Sequence, residues 1–247
     1  MRTSVKILIA ATVLVIVTLG IYDFQLKAEY LRGDFKNPFR DYIATDFSDF
    51  DSIDLHSASA INLMVVRGPY KVTIEPTAMD FVKITKRGRT LVFDASYKDH
   101  YRNINSEYVV FVSCPDLKAF TTDTRYTAGD LKVTDSVSND FNWKYSRITG
   151  FDADSLRLIA LHAANVMLEN NRINSVLLTA GAQPGAGAMI TLGEGNRFKS
   201  AFLDIQHKST LRILSPAGNH ITYQIADSAR LLVTGSISKQ LFKSPQP

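Results

Sequence analysis

The sequence predicts an all-β body, a β-solenoid with an antiparallel β-sandwich as the alternative, behind one N-terminal transmembrane helix. Three observations carry this. Short apolar runs recur through the second half of the chain. Apolar and polar residues alternate within them. One uncharged apolar stretch stands near the start of the chain.

The runs begin at Leu156, Val166, Val176, Ala188, Leu203, Leu211, Ile221 and Leu231, with separations of 10, 10, 12, 15, 8, 10 and 10 residues. Each is one strand long, too short for a typical helix. The gaps are polar corners such as Asn170-Asn171 and Asp227-Ser228. Strands at this spacing suit a sandwich, a barrel or a solenoid. Asn-Gly and Asp-Gly hairpin signals are missing from these corners, which favours stacked coils of roughly 20 residues over antiparallel pairs.

The alternation sets the faces. Leu158, Leu168, Leu178, Ile190, Ile205, Ile213, Tyr223 and Val233 should point inward, and Met167, Arg212, Thr222 and Gln224 outward. The period of two requires this, because a slip of one residue would expose the whole apolar set.

Residues 7–22 read ILIAATVLVIVTLGIY, preceded by Arg2 and Lys6 and ended by Asp23. Sixteen helical residues span about 24 Å, and Val5, Phe24 and the stem of Lys6 extend the reach toward a ~30 Å hydrocarbon core. The following DFQLKAEYLRGD continues in good helix formers until Gly33. A retained anchor is the expectation, with a signal peptide cut near Thr18-Leu19-Gly20 as the alternative. A long domain after such a span is translocated largely regardless of charge. The expected location is therefore the bacterial inner membrane, single-pass, with the bulk of the chain in the periplasm, or a secreted chain after cleavage.

The organisation reads as residues 1–33 for the cytoplasmic tip, span and its extension, 34–51 as a connector, 52–238 as the β domain and 239–247 as a tail. The connector ends in Asp46, Asp49, Asp51 and Asp54, which lack the glycine and closing glutamate of a calcium loop and read as a solvated approach. Ile61, Leu63 and Val65 alternate with Asn62, Met64 and Val66. Val82–Ile84 and Leu91–Phe93 flank a turn at Gly88 that carries Lys83, Lys86, Arg87 and Arg89. A solvated hairpin tip is the expectation there, with an anionic partner as the alternative.

Net charge is +4, with basic residues scattered among 24 acidic ones. A nucleic-acid binder concentrates its charge in a stripe, so no nucleic-acid partner is expected. A single cysteine, Cys114, excludes an internal disulfide and a multi-cysteine zinc site. No cysteine follows the apolar leader, which excludes a bacterial lipoprotein anchor.

The stretch Ser52 to Pro76, SIDLHSASAINLMVVRGPYKVTIEP, resembles the opening of the head GIN domain family, labelled by analogy as auto-transporter adhesins. Phe50, Ile53, Ser59-Ala60, Ile61-Asn62-Leu63, Gly68 and Val72-Thr73-Ile74 occupy the family's turn, strand, glycine and strand positions. RTLVFDAS and EYVVFVSCPDLKAFTTD continue the likeness, which runs from about Phe50 to Gly235. Thr122-Asp123-Thr124 departs from the family's glycine-rich corners. The resemblance implies a right-handed single-stranded β-helix on exported proteins of Gram-negative bacteria, with no established activity and no catalytic residues to carry over.

The residues give little chemistry. His56, His100, His162, His207 and His220 are far apart, with no His-Glu-x-x-His pair. Cys114 before Pro115 reads as a packed thiol. Gly181-Ala-Gln-Pro-Gly185-Ala-Gly187 lacks a phosphate-loop lysine and reads as a wide corner. Asp152 and Asp154 would share one side of a strand and read as surface solvation before it, with glycosidase chemistry as the alternative use of the pair; Trp143, beside Phe141 and Tyr145, reads as core or lid packing, with a sugar-stacking platform as the alternative. The expectation is a non-catalytic binding or adhesion-type module with no catalytic, cofactor or metal residue. Its partners would be the membrane and an envelope polysaccharide or envelope protein. The alternative is an envelope polysaccharide hydrolase or lyase.

Overall fold

The computed structural model describes residues 2–33, 36–100, 104, 106–136, 144–215, 217–235 and 237 of the 247-residue chain. The chain divides into two compact units, Met1–Asp41 and Tyr42–Pro247. Residues 239–247, read from the sequence as a tail, lie outside the described residues.

The first unit is helix α1, Thr3–Arg32, with no buried residue. Thirty residues give about 45 Å of helix. It runs unbroken through Thr18-Leu19-Gly20 and ends where Gly33 adopts a left-handed φ of 72°. The Gly33 N–H donates back to the Glu29 and Tyr30 carbonyls, and Arg32 sits in the last turn, where a cation suits the helix dipole. The hydroxyls of Thr12 and Thr18 donate to the Leu8 and Leu14 carbonyls, so both threonines of the apolar stretch are satisfied within the helix. By length and composition α1 is able to cross a membrane, and an N-terminal signal sequence has the same character.

The second unit is mostly β. Its first strands are β1 (Ile43–Thr45), β2 (Ser52–Leu55), β3 (Leu63–Arg67), β4 (Lys71–Ile74) and β5 (Val82–Arg87). Next come β6 (Thr90–Tyr97), β7 (Val110–Cys114), β8 (Ala119–Thr122), β9 (Arg125–Ala128) and β10 (Leu131–Thr134). The stretch 34–51, read as a connector, thus contributes β1. The tip predicted at Gly88 is a hairpin, β5 pairing antiparallel with β6 across Gly88-Arg89.

The later strands are β11 (Ser146–Thr149), β12 (Asp152–Ala160), β13 (Asn165–Glu169), β14 (Arg172–Ala180) and β15 (Met189–Leu192). They continue as β16 (Arg197–Ile205), β17 (Thr210–Ile213), β18 (Gly218–Ile225) and β19 (Arg230–Val233). From β11 onward the strands fall alternately into two sheets. A nine-stranded sheet has the order β1-β4-β7-β3-β11-β13-β15-β17-β19, and a ten-stranded one the order β10-β9-β6-β2-β8-β12-β14-β16-β18 with β5 on β6. Every pair from β11 to β19 is parallel. In register, Ile148, Leu168, Leu192, Ile213 and Val233 stand side by side, 20, 24, 21 and 20 residues apart. Leu158, Leu178, Leu203 and Tyr223 do the same in the other sheet, 20, 25 and 20 apart.

Two large mixed sheets over one core are the layers of a sandwich as much as of a solenoid. The antiparallel pairs β1–β4, β4–β7, β5–β6 and β9–β10 keep the chain from closing into coils along its whole length. The physical reason is that alternation fixes which face of a strand is buried but leaves its partner open.

Both sheets feed one hydrophobic cluster. Leu158, Leu168, Leu178, Ile190, Ile205 and Ile213 are buried in it, while Thr222 and Gln224 are exposed. Tyr223 and Val233 depart from expectation. Tyr223 is 40% exposed and Val233 half-buried. Their register is that of the inward set, but among the described residues β18 and β19 are the last strands of their sheets, with no further strand over them.

Candidate functional site

The polar groups that the fold gathers lie chiefly on the second unit's outer faces. Ile53 and Leu55 are buried, so Asp54 between them faces outward, and His56 follows on the same side. Phe93 and Ala95 likewise turn Asp94 of β6 outward. Parallel pairing of β2 with β6 then places all three together. His56 Nδ1 lies 2.8 Å from Asp94 Oδ1, and Nε2 lies 3.0 Å from Asp54 Oδ2. With a carboxylate on each nitrogen, the ring has none free for a metal or a substrate proton.

His56 and Asp94 of this clamp line a cleft of about 410 Å³ with Lys83, Arg125, Tyr126 and Lys132. Arg125 pairs with the buried carboxylate of Asp123, which His162 Nδ1 also contacts. Two of the five histidines, His56 and His162, are therefore bound to aspartates. The Asp54-x-His56 spacing already puts two polar groups on one strand face; Asp94 becomes visible only through the sheet order.

The crowded aspartates read as a solvated approach have a tighter role. Asp51 is buried, with Arg89 Nε and Lys118 Nζ both 3.0 Å from its Oδ2 and Ser52 donating to Oδ1. Asp49 takes a second nitrogen of Arg89. Lys86 donates to the Ser48 carbonyl at 2.7 Å. The hairpin tip thus pins the connector's end to the sheet. Burial pushes the Asp51 carboxyl up, but hydrogen bonds from Lys118, Arg89 and Ser52 outweigh it and hold it below the usual carboxylate range.

Cys114 is fully buried at the end of β7, and desolvation, with Asp116 and Asp51 adding, pushes its thiol up to about 12. A thiolate nucleophile is not formed there at neutral pH. The Gly181–Gly187 stretch is a corner. Gly181 and Gly185 have φ of 77° and 75°, and a Cβ on Gly181 would lie 2.1 Å from Ser209 Oγ.

Asp152 and Asp154 do share one outer face of β12, both exposed. Each is already engaged. Arg172 Nη1 stands 3.7 Å from Asp152, and Asn174 Nδ2 donates to Asp154 at 2.9 Å. Phe141 and Trp143, the alternative sugar platform, lie outside the described residues. Tyr145 is committed to packing, its hydroxyl taking a hydrogen bond from Arg147 at 2.7 Å and its ring meeting Tyr108 edge-on. Among the described residues, no group of three or more His, Cys, Asp or Glu is arranged to hold a metal ion.

No protein-family model matches the chain, and no curated protein matches it. Solved structures do, among them putative adhesins and a putative lipid binding protein. The adhesin of Bacteroides fragilis NCTC 9343 is 11% identical, covers 80% of this chain and 99% of its own, and has a TM-score of 0.46. The adhesin of Parabacteroides merdae ATCC 43184 is 11% identical, covering 78% and 95%, with a TM-score of 0.38. The lipid binding protein of Parabacteroides distasonis ATCC 8503 is 10% identical, covering 79% and 94%, with a TM-score of 0.33.

Proposed function

We propose that this chain is a non-catalytic binding module of adhesion type, tethered by α1 to the inner membrane with its β unit in the periplasm. The observation that carries the reading is α1 itself, thirty residues with an uncharged apolar stretch and not one buried side chain. Exposed apolar surface on this scale is costly in water and favourable in a bilayer. The resemblance of residues 50–235 to the head GIN domain family supports an exported body.

The parallel pairing from β11 to β19, with its advance of 20 to 25 residues, supports reading that half as a β-solenoid whose coils each give one strand to each sheet. Such stacks offer long repetitive faces suited to extended ligands such as an envelope polysaccharide. The alternative, a hydrolase or lyase on the same scaffold, has Asp152 and Asp154 as its best candidate residues, and their carboxylates are turned to Arg172 and Asn174.

Cell fractionation tests the reading. The intact chain is expected in the membrane fraction, resistant to salt extraction, with its β unit open to protease in spheroplasts. Recovery of the intact chain in the soluble cytoplasm would overturn it. A mature N-terminus just after Gly20 would convert the anchor into a cleaved leader.

A further inference from the structure

A second cleft, of about 460 Å³, lies at the corner where β11, β13 and β15 turn into β12, β14 and β16. Asp152, Arg172 and Arg197 are the first residues of β12, β14 and β16 and stand in register on adjacent strands. Adjacent strands are about 4.8 Å apart. Two guanidinium groups on the exposed side of neighbouring strands repel each other, and like charges directly opposite destabilise a sheet. Asp152 relieves only Arg172, and only from 3.7 Å. Arg197 has no ion-pair partner among the described residues. Neither has Arg67, which ends β3 beside Gly150 and enters the same cleft. Three cations therefore face one carboxylate.

The corner is built to bring them together. Gly150, Asn170 and Gly195 occupy the turn on three successive strands, all left-handed, with φ of 80°, 54° and 73°. A Cβ on Gly150 would meet nothing within 4 Å, so the space above it is open. Beneath, the buried amides of Asn171 and Asn196 fix the turn from inside. The arrangement is a rigid floor with an unbalanced positive rim.

We propose that this cleft binds an oxyanion group, carboxylate or phosphate, carried on an acidic glycan. Arginine suits it because its planar fork pairs two N–H donors with two oxygens, and an anion lying between Arg172 and Arg197 removes the repulsion that the fold leaves standing. The site deepens the binding-module reading and rests on it, naming the chemistry the ligand must present. Asp152 sets orientation by repelling the anion from one side.

The experiment uses the full chain in detergent micelles, titrated calorimetrically with three probes: trigalacturonate, uncharged trigalactose and galactose 6-phosphate. The acidic probes are expected to bind and the neutral one to bind at least tenfold more weakly. Affinity should fall as salt rises from 50 to about 500 mM, because the attraction is screened. Whichever acidic probe binds more tightly identifies the oxyanion. Arg172→Gln with Arg197→Gln should weaken binding at least tenfold. Arg67→Gln alone is the second variant, should folding of the double one fail by its denaturation midpoint, and should weaken binding several-fold. Arg157→Gln, exposed on β12 and outside the cleft, should bind as the parent does. Equal binding of neutral and acidic probes, no binding of either acidic probe, or parental affinity in the arginine variants would overturn the site. A chain that stays in the membrane fraction but ignores acidic sugars loses this site and keeps its membrane reading; a chain in the soluble cytoplasm loses the reading itself.

Discussion

Asn171 Nδ2 donates to Asn196 Oδ1 at 3.1 Å, from one turn to the next, and the two amides form a short buried ladder along the corner. Asn171 also donates to the Ile148 carbonyl and accepts from the Phe151 N–H, and Asn196 donates to the carbonyls of Leu168 and Gly193. Each amide thus satisfies backbone groups that the turn strips from the ladder of the sheets. Leucine at either position would fit by size and orphan several of them. Each orphaned buried group costs about 1–3 kcal/mol. Asn196→Leu is expected to destabilise the β unit by about 2–4 kcal/mol in urea denaturation. Asn174→Ala, on the outer face, should cost less than about 1 kcal/mol. Equal losses would mean that the ladder carries no weight.

The register makes a second prediction at adjacent residues. Ile213 is 2% exposed and stands in line with Leu192, whereas Arg212 is half-buried on the opposite face of the strand, in line with Thr191. Ile213→Asp buries an unpaired carboxylate and should cost more than about 3 kcal/mol, enough to unfold a marginal domain. Arg212→Asp should cost under about 1 kcal/mol. Denaturation midpoints of the two variants measure the contrast, and similar losses would mean that β17 is out of register.

How much of this was legible beforehand follows from what each signal encodes. Alternation placed Leu158, Leu178 and Ile213 inside correctly, because the face of a strand is a local property. It misjudged Tyr223, because exposure there depends on whether another strand covers β18. Gly88 announced a hairpin through local turn chemistry. The partners of Asp51 were not legible, since Arg89 and Lys118 reach it only after β2 has paired with both β6 and β8. The same holds for the arginines at the corner. Arg67, Arg172 and Arg197 are scattered in sequence, and the insertion that lengthens one turn from 20 to 25 residues hides the spacing of the last two.

Cys114 predicts silence toward thiol reagents. Its side chain is fully buried and its thiol is pushed up to about 12, so at pH 8 almost none is thiolate. Iodoacetamide should leave the folded protein unlabelled for hours and modify it fully in denaturant, as intact-mass measurement would read. Labelling of the folded chain within minutes at pH 8 would contradict the burial.

Asp51 predicts an acid limb of stability. Its carboxyl is held below the ordinary range in the folded protein, so the unfolded chain binds a proton more readily than the folded one as pH falls. The stabilisation is therefore present above the unfolded value of about 3.9 and is lost as pH drops through the lower folded value. The losing window therefore lies below about pH 4. Arg89 and Lys118 are more than half exposed, 54% and 60%, so water screens part of the attraction. Asp51→Asn should cost about 1–2 kcal/mol at pH 7, and the difference from the parent should shrink as pH falls toward 3. Parallel urea denaturation of both proteins from pH 7 to pH 3 measures the convergence. A difference independent of pH would mean that packing around Asp51, and not its charge, ties the hairpin tip to the connector.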